Sequence, residues 1–417
     1  MTEELKVEDA GSDSRSDART IMTSAWRLSV PDTVSEDSPL LVIPTVHPRG
    51  DRRIVRCAQV ALDAGFRVHF LWLGRGESSL DPLAGETLFP EPQNATERIR
   101  MVPRIARRAA QLGGHMWHIH DFYFLGEAKR WRRKSGRAVL YDVHEYYGRY
   151  YAGKVPAPTI VQRLIAGAIE RYQVRSAKKL GAANVVTEEM AVSFRAWGVP
   201  VSVSPNYPML SQFGDLPSVT FSERRWRVLH IGTLSREYGT ELLVQLAARS
   251  LQRELPFDFT VLARFPSPGH AQAFEELLAR VGAPVNLKLV PTRPTHEMPG
   301  LLASAGFGLS LLALDGQNES AVPSKNYEHV MAGMVDVVTD RAAQRQFAES
   351  FAVHVSGHAD DADAMLDQMI RLAEDASGTE TELTEKAGSA RNHFTWERAV
   401  EPGLRAMLLQ LSSKGPE

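Results

Sequence analysis

Several short stretches of this 417-residue chain carry side chains able to do chemistry. Gly232-Thr-Leu-Ser-Arg-Glu-Tyr-Gly239 follows an apolar run and opens a segment whose Leu242, Leu243 and Leu246 recur at helical spacing. Small residues at such a turn let a diphosphate approach backbone N–H groups at the positive end of a helix dipole. A plain strand-to-helix turn accounts for the same glycines, because the full Gly-x-Gly-x-x-Gly pattern is missing. Farther on, Pro323-Ser324-Lys325-Asn-Tyr-Glu328 sets a cation and a carboxylate three residues apart, on one face of a helix. They form either a surface ion pair or two groups beside a ligand. His118, His120 and Asp121 close another apolar run, where a neutral imidazole can hydrogen-bond a hydroxyl or stabilise developing charge. Histidines two apart on a strand share a face, but no third and fourth ligand is visible, so no metal is expected. Asp361-Ala-Asp363 imitates a metal-binding pair and reads instead as negative charge at a helix N-terminus.

The elements that position these residues follow one rhythm. Leu40-Leu-Val-Ile43 is a strand; Ile54, Ala58, Ala61 and Leu62 mark one face of a helix closed by Gly65; Arg67 to Leu73 is the next strand. Strand, helix and strand within about 35 residues make a parallel crossover unit. The pattern recurs at Met116–Ile119, Ala138–Tyr141, Asn184–Thr187 and Val201–Ser204. After the proline-rich stretch from Pro205 to Arg225 it restarts at Trp226–Ile231, Asp258–Leu262, Val285–Val290, Phe307–Leu312 and Val335–Val338. Residues 38–212 and 217–394 therefore read as two doubly wound α/β domains facing across a cleft. Residues 395–417 are expected to form a helix crossing back to the first domain, and residues 1–37, rich in Ser, Asp, Thr and Glu, a disordered tail left out of the fold.

Composition narrows the function classes. With 48 basic and 50 acidic side chains the formal charge is −2, so a protein coating nucleic acid is excluded and no nucleic-acid partner is expected. A single cysteine, Cys57, cannot make an intramolecular disulfide and suits a reducing compartment. Neither a membrane-spanning stretch nor a secretion signal is read, and the expected location is cytoplasmic. Lys129-Arg-Trp-Arg-Arg-Lys-Ser-Gly-Arg137 is either the cationic last turn of a helix or a peripheral contact with an anionic membrane, with Trp131 at the interface.

Taken in order, these signals resemble the GT-B glycosyltransferases, specifically the retaining, nucleotide-sugar-dependent enzymes of the family-4 type. The resemblance spans about residues 40 to 411. It rests on His47-Pro-Arg-Gly-Asp-Arg-Arg53, His118-Ile-His120-Asp121, Tyr141-Asp-Val-His144-Glu145, Ser204-Pro-Asn-Tyr-Pro208, Gly232 to Gly239 and Pro323 to Gly333. It implies a sugar passed from a nucleotide-diphosphate donor, with no cofactor beyond that co-substrate, to a carbohydrate, lipid-linked or small-molecule acceptor. A nucleotide-sugar 2-epimerase and a non-catalytic binding protein share the architecture. His120, Lys325 and Glu328 are the implied catalytic residues, with Glu328 on the ribose hydroxyls. Gly232, Thr233, Arg236, Arg264, Ser324, Lys325 and Glu328 would hold the donor, and His47, Arg53, Asp121, His144 and Glu145 the acceptor. Similar enzymes carry an Arg and a Lys on the diphosphate where this chain has Thr233 and Tyr238. Arg236, Arg264 and Lys325 are the candidates to replace them.

Overall fold

The computed structural model describes residues 7–8, 19–22, 27–75, 83–214, 216, 219–293, 297–313 and 322–413. The chain forms two compact domains. One runs to Pro205 and resumes at Ala399; the other is continuous from Asn206 to Arg398.

In the first domain, strands β1 (Val7–Glu8), β2 (Arg19–Met22) and β3 (Arg27–Val30) pair antiparallel. The end of the expected tail is thus part of the fold. Leu28, Val30 and Val34 are buried, and the backbone of Ser29 exchanges hydrogen bonds with the Gln59 side chain on α1 (Arg52–Asp63). Three apolar side chains scattered in a polar stretch are enough to cover one helix face, although they make no periodic signal. The main sheet holds β4 (Leu40–Pro48), β5 (Arg67–Leu73), β6 (Ala84–Phe89), β7 (Met116–Ile119), β8 (Val139–Val143), β9 (Gly181–Val185) and β10 (Val201–Val203). Its spatial order is β10-β9-β8-β7-β4-β5-β6, all parallel. The order reverses between β4 and β7, the switch point where ligands of doubly wound sheets bind. Around it lie α2 (Ala95–Gln111), α3 (Leu125–Ser135), α4 (Tyr147–Ala152), α5 (Thr159–Leu180) and α6 (Glu188–Ala196).

The second domain repeats the plan with β11 (Arg227–Thr233), β12 (Asp258–Arg264), β13 (Leu287–Val290), β14 (Phe307–Ser310), β15 (Val335–Thr339) and β16 (His354–Gly357) in the order β13-β12-β11-β14-β15-β16. Its helices are α7 (Phe221–Arg224), α8 (Thr240–Gln252), α9 (Pro268–Arg280), α10 (Met298–Ala303), α11 (Ser324–Met331), α12 (Ala342–Phe351), α13 (Ala362–Glu374) and α14 (Ala376–His393). Asp361 caps α13 by accepting from the Ala364 N–H, so this carboxylate acts on a helix terminus. The last helix, α15 (Glu401–Ser413), packs on α1 and β10 of the first domain. Among the described residues no helix is long and apolar enough to cross a membrane.

Candidate functional site

At the carboxyl ends of β4, β7 and β8 the first domain gathers a buried polar cluster around Asp142. Arg53 donates to its Oδ1 from Nε at 2.9 Å and lies 2.8 Å away through a terminal nitrogen. His144 Nε2 sits 3.1 Å from the same oxygen, while Asn184 donates to Oδ2 at 2.7 Å. Ser204 donates to Asn184, and Arg53 donates to the Ser204 carbonyl. Burial opposes the Asp142 carboxylate, but Arg53 and then His144 hold it well below the ordinary range. Arg53, expected on the acceptor, is instead buried and committed to Asp142.

His120 is also fully buried. Burial, with His118 next in weight, holds its imidazole neutral. Its Nδ1 lies 3.1 Å from His144 Nε2, the nitrogen that also faces Asp142. A carboxylate only accepts, so His144 Nε2 carries the shared proton and His120 Nδ1 is the acceptor. The remaining proton of neutral His120 is then on Nε2, which has no protein partner among the described residues. With no exposed surface, His120 offers no atom to a ligand in this structure, against the expectation that it meets the transferred sugar. On the neighbouring strand His47 lies 3.0 Å from Asp51 and 3.3 Å from Asp121. Burial pushes its imidazolium toward neutrality, yet the two carboxylates prevail and lift the pKa to about 10. Asp121 also accepts from Thr45 and the Val46 N–H, which fixes the His47 ring. Glu145 follows His144 at an exposed position.

The fold supplies the further metal ligands that the sequence pattern did not reveal: Cys57, His118, His120 and Asp142 offer donor atoms all within 4.8 Å of one another. Two features count against a cation there. Asp142 already accepts from Arg53 and Asn184, and a guanidinium beside it repels a second positive charge. Burial, with Asp142 adding to it, also pushes the Cys57 thiol well above its ordinary range, away from the thiolate that binds metal.

In the second domain the Gly232 to Gly239 turn leaves β11 and enters α8. Gly232 has φ 144°, and a side-chain Cβ there would stand 3.1 Å from the Lys325 amine, so the missing side chain makes room for that cation. Lys325 is drawn down to about 8 by burial, against the opposing pull of Glu328 and Asp336. Thr233 pairs in register with Arg264, whose guanidinium reaches the threonine hydroxyl at 3.5 Å. Arg236 is exposed on the turn, and Ser324 is exposed at the start of α11. Tyr238 lies with its ring centroid 6.0 Å from the Lys325 amine. Gly239 has φ 65°, and a Cβ would fall 2.6 Å from Leu311 Cβ. Gly239→Ala should therefore lower stability by about 1–3 kcal/mol in urea denaturation, through backbone strain and overpacking together.

What aims Lys325 and Glu328 is a buried network that the sequence reading missed. Asn326 donates to Asp336 at 2.6 Å, His329 meets the other Asp336 oxygen at 2.7 Å, and Ser310 donates to Asn326 at 2.9 Å. Gln344 closes it by donating to the Ser310 carbonyl. The signal was present: Asp336 interrupts an apolar strand, as Asp142 and Asn184 do in the first domain. A carboxylate or amide inside a buried strand requires partners.

No protein-family model matches the chain, and no curated protein matches it in sequence. Solved structures do. Sucrose-phosphate synthase from Thermosynechococcus elongatus superposes with a TM-score of 0.67 at 14% identity, over 90% of this chain and 98% of that one. A UDP-forming α,α-trehalose-phosphate synthase from Burkholderia vietnamiensis gives 0.63 at 13%, over 90% and 100%. The Anabaena protein HepE, in complex with UDP and glucose, gives 0.64 at 12%, over 90% and 100%. At these identities the likeness establishes the fold: two Rossmann-like domains of the GT-B type.

Proposed function

We propose that the chain is a glycosyltransferase that takes a sugar from a nucleotide-diphosphate donor held by the second domain and gives it to an acceptor held by the first. The observation that carries this reading is the turn at the end of β11, where Gly232 makes room for the Lys325 amine and Arg264 stands beside Thr233. A glycine-rich turn at a helix N-terminus with two cations suits a diphosphate leaving group, which must keep the bonding electron pair as the anomeric carbon is released. Glu328 suits the ribose hydroxyls. The acceptor oxygen then bonds to the anomeric carbon, and its proton passes to the departing diphosphate oxygen. Retention of configuration and a donor carrying UDP are part of this proposal; similarly folded HepE is in complex with UDP and glucose. The cytoplasm suits such a donor, and for an acceptor carried on a lipid the cations of residues 129–137 would meet the inner face of the membrane.

The test is a screen of nucleotide sugars for turnover and binding. Transfer, or slow hydrolysis of one donor, is the expected result. Release of a free 2-epimer would replace the reading by epimerisation. Binding without turnover would favour a binding protein, the reading supported by Thr233 and Tyr238 in place of two cations. We expect turnover to continue in excess EDTA, because protein cations and N–H groups neutralise the diphosphate in this reading. Activity restored only by added manganese or magnesium would contradict that.

A further inference from the structure

Helix α5 presents an unusual face. Its C-terminal part is anchored through Gln173, Val174, Ser176, Ala177 and Leu180, but from Thr159 to Tyr172 none of its residues is buried. Ile160 is 71% and Leu164 70% exposed. At about 3.6 residues per turn, Val161, Ile165, Ala168 and Tyr172 fall in one lane and Ile160 and Leu164 in the next. The opposite side, with Ala166 and Glu170, packs on Gly148 of α4. The only acid of α5 is therefore turned away from the apolar lanes. Toward the C-terminus those lanes continue as Arg171, Arg175, Lys178 and Lys179, all exposed.

The neighbouring helix extends the pattern. Lys129 of α3 donates to Ser176 and stands 4.3 Å over the Tyr172 ring. A depression of about 640 Å³ beside it is lined by Lys129, Arg130, Arg132, Arg133 and Lys179. Trp131, expected at an interface, is instead buried and stacked on Trp117, and Arg137 is bonded to the Gly113 and Gly114 carbonyls. Contact with a surface thus falls to α5 and the α3 cations rather than to the whole of residues 129–137. Apolar side chains at one end of an exposed helix and cations of a single sign at the other match an anionic bilayer.

We propose that the exposed face of α5, with the basic depression of α3, docks on an anionic phospholipid surface: Ile160, Val161 and Leu164 enter the interface and the cations of α5 and α3 meet lipid phosphates. This deepens the membrane contact named above but does not depend on sugar transfer. The full chain should float with vesicles of equal parts phosphatidylcholine and phosphatidylglycerol, fail to float with phosphatidylcholine alone, and be released by high salt. Ile160→Asp with Leu164→Asp, and separately Lys178→Glu with Lys179→Glu, should each reduce vesicle partitioning by about tenfold or more while circular dichroism melting is unchanged. All four positions are exposed, so both variants should fold. A wild-type chain that floats with neither vesicle, or variants that float as the wild type does, would overturn the proposal. So would size-exclusion chromatography in which the wild type is a dimer and the aspartate variant a monomer, since α5 would then be a protein interface. Because the readout is vesicle binding, failure here leaves the transfer reading standing.

Discussion

Replacing Asp142 by asparagine should lower the stability of the first domain by about 3–5 kcal/mol, the cost of breaking a buried ion pair by removing one partner. Arg53 is buried and has this carboxylate as its ion-pair partner, so little solvent is available to take over. Urea denaturation should show the loss, and adding Arg53→Met should recover part of it by removing the orphaned charge. The pH dependence has a definite sign. The folded-state pKa of Asp142 is depressed, so its contribution is whole above the ordinary carboxylate pKa of about 4 and is lost as pH falls toward the depressed value. A loss below about 1 kcal/mol in Asp142→Asn would show that the cluster does not depend on this pair.

The second large effect is kinetic. Lys325→Ala should lower kcat/KM for the donor by about tenfold or more, corresponding to the loss of a charge-assisted contact of about 1.5–3 kcal/mol, with thermal stability nearly unchanged. Its pH profile separates this role from a structural one. With the amine drawn down to about 8, kcat/KM in the wild type should fall about tenfold per pH unit above that value, because it reports the free enzyme. A bound diphosphate raises the amine's pKa, so kcat should hold to higher pH. The alanine variant should lack the alkaline fall. Glu328→Gln should chiefly weaken binding of the nucleoside part. Wild-type kinetics in Lys325→Ala would remove the lysine from the site, and a variant that loses its fold would make the residue structural.

Much of the architecture was legible because buried parallel strands are short apolar runs. Arg67–Leu73 and Met116–Ile119 are strands at the expected bounds. The expected Asn184–Thr187 strand lies instead at Gly181–Val185, since Gly181, Ala182 and Ala183 are too small to register as apolar yet pack in the sheet. Strand β6 escaped notice because Gly85 and Glu86 break its pattern; Glu86 is buried and accepts from the Trp72 indole. The site was legible by residue type and much less by role. Gly232 and Lys325 are brought together, and Thr233 meets Arg264, but which cation faces which carboxylate depends on contacts between residues far apart in sequence. Arg53 and Asp142 are 89 residues apart.

The return of α15 to the first domain constrains the order in which the polypeptide can mature. Residues 206–398 leave the ribosome as one uninterrupted stretch and hold every strand of their sheet, so this half needs nothing translated after it. The earlier half cannot finish. The apolar surface of α1, β9 and β10 that Leu404, Leu408 and Leu411 cover remains open until α15 has followed the second domain out of the ribosome, which makes the half translated first the half completed last.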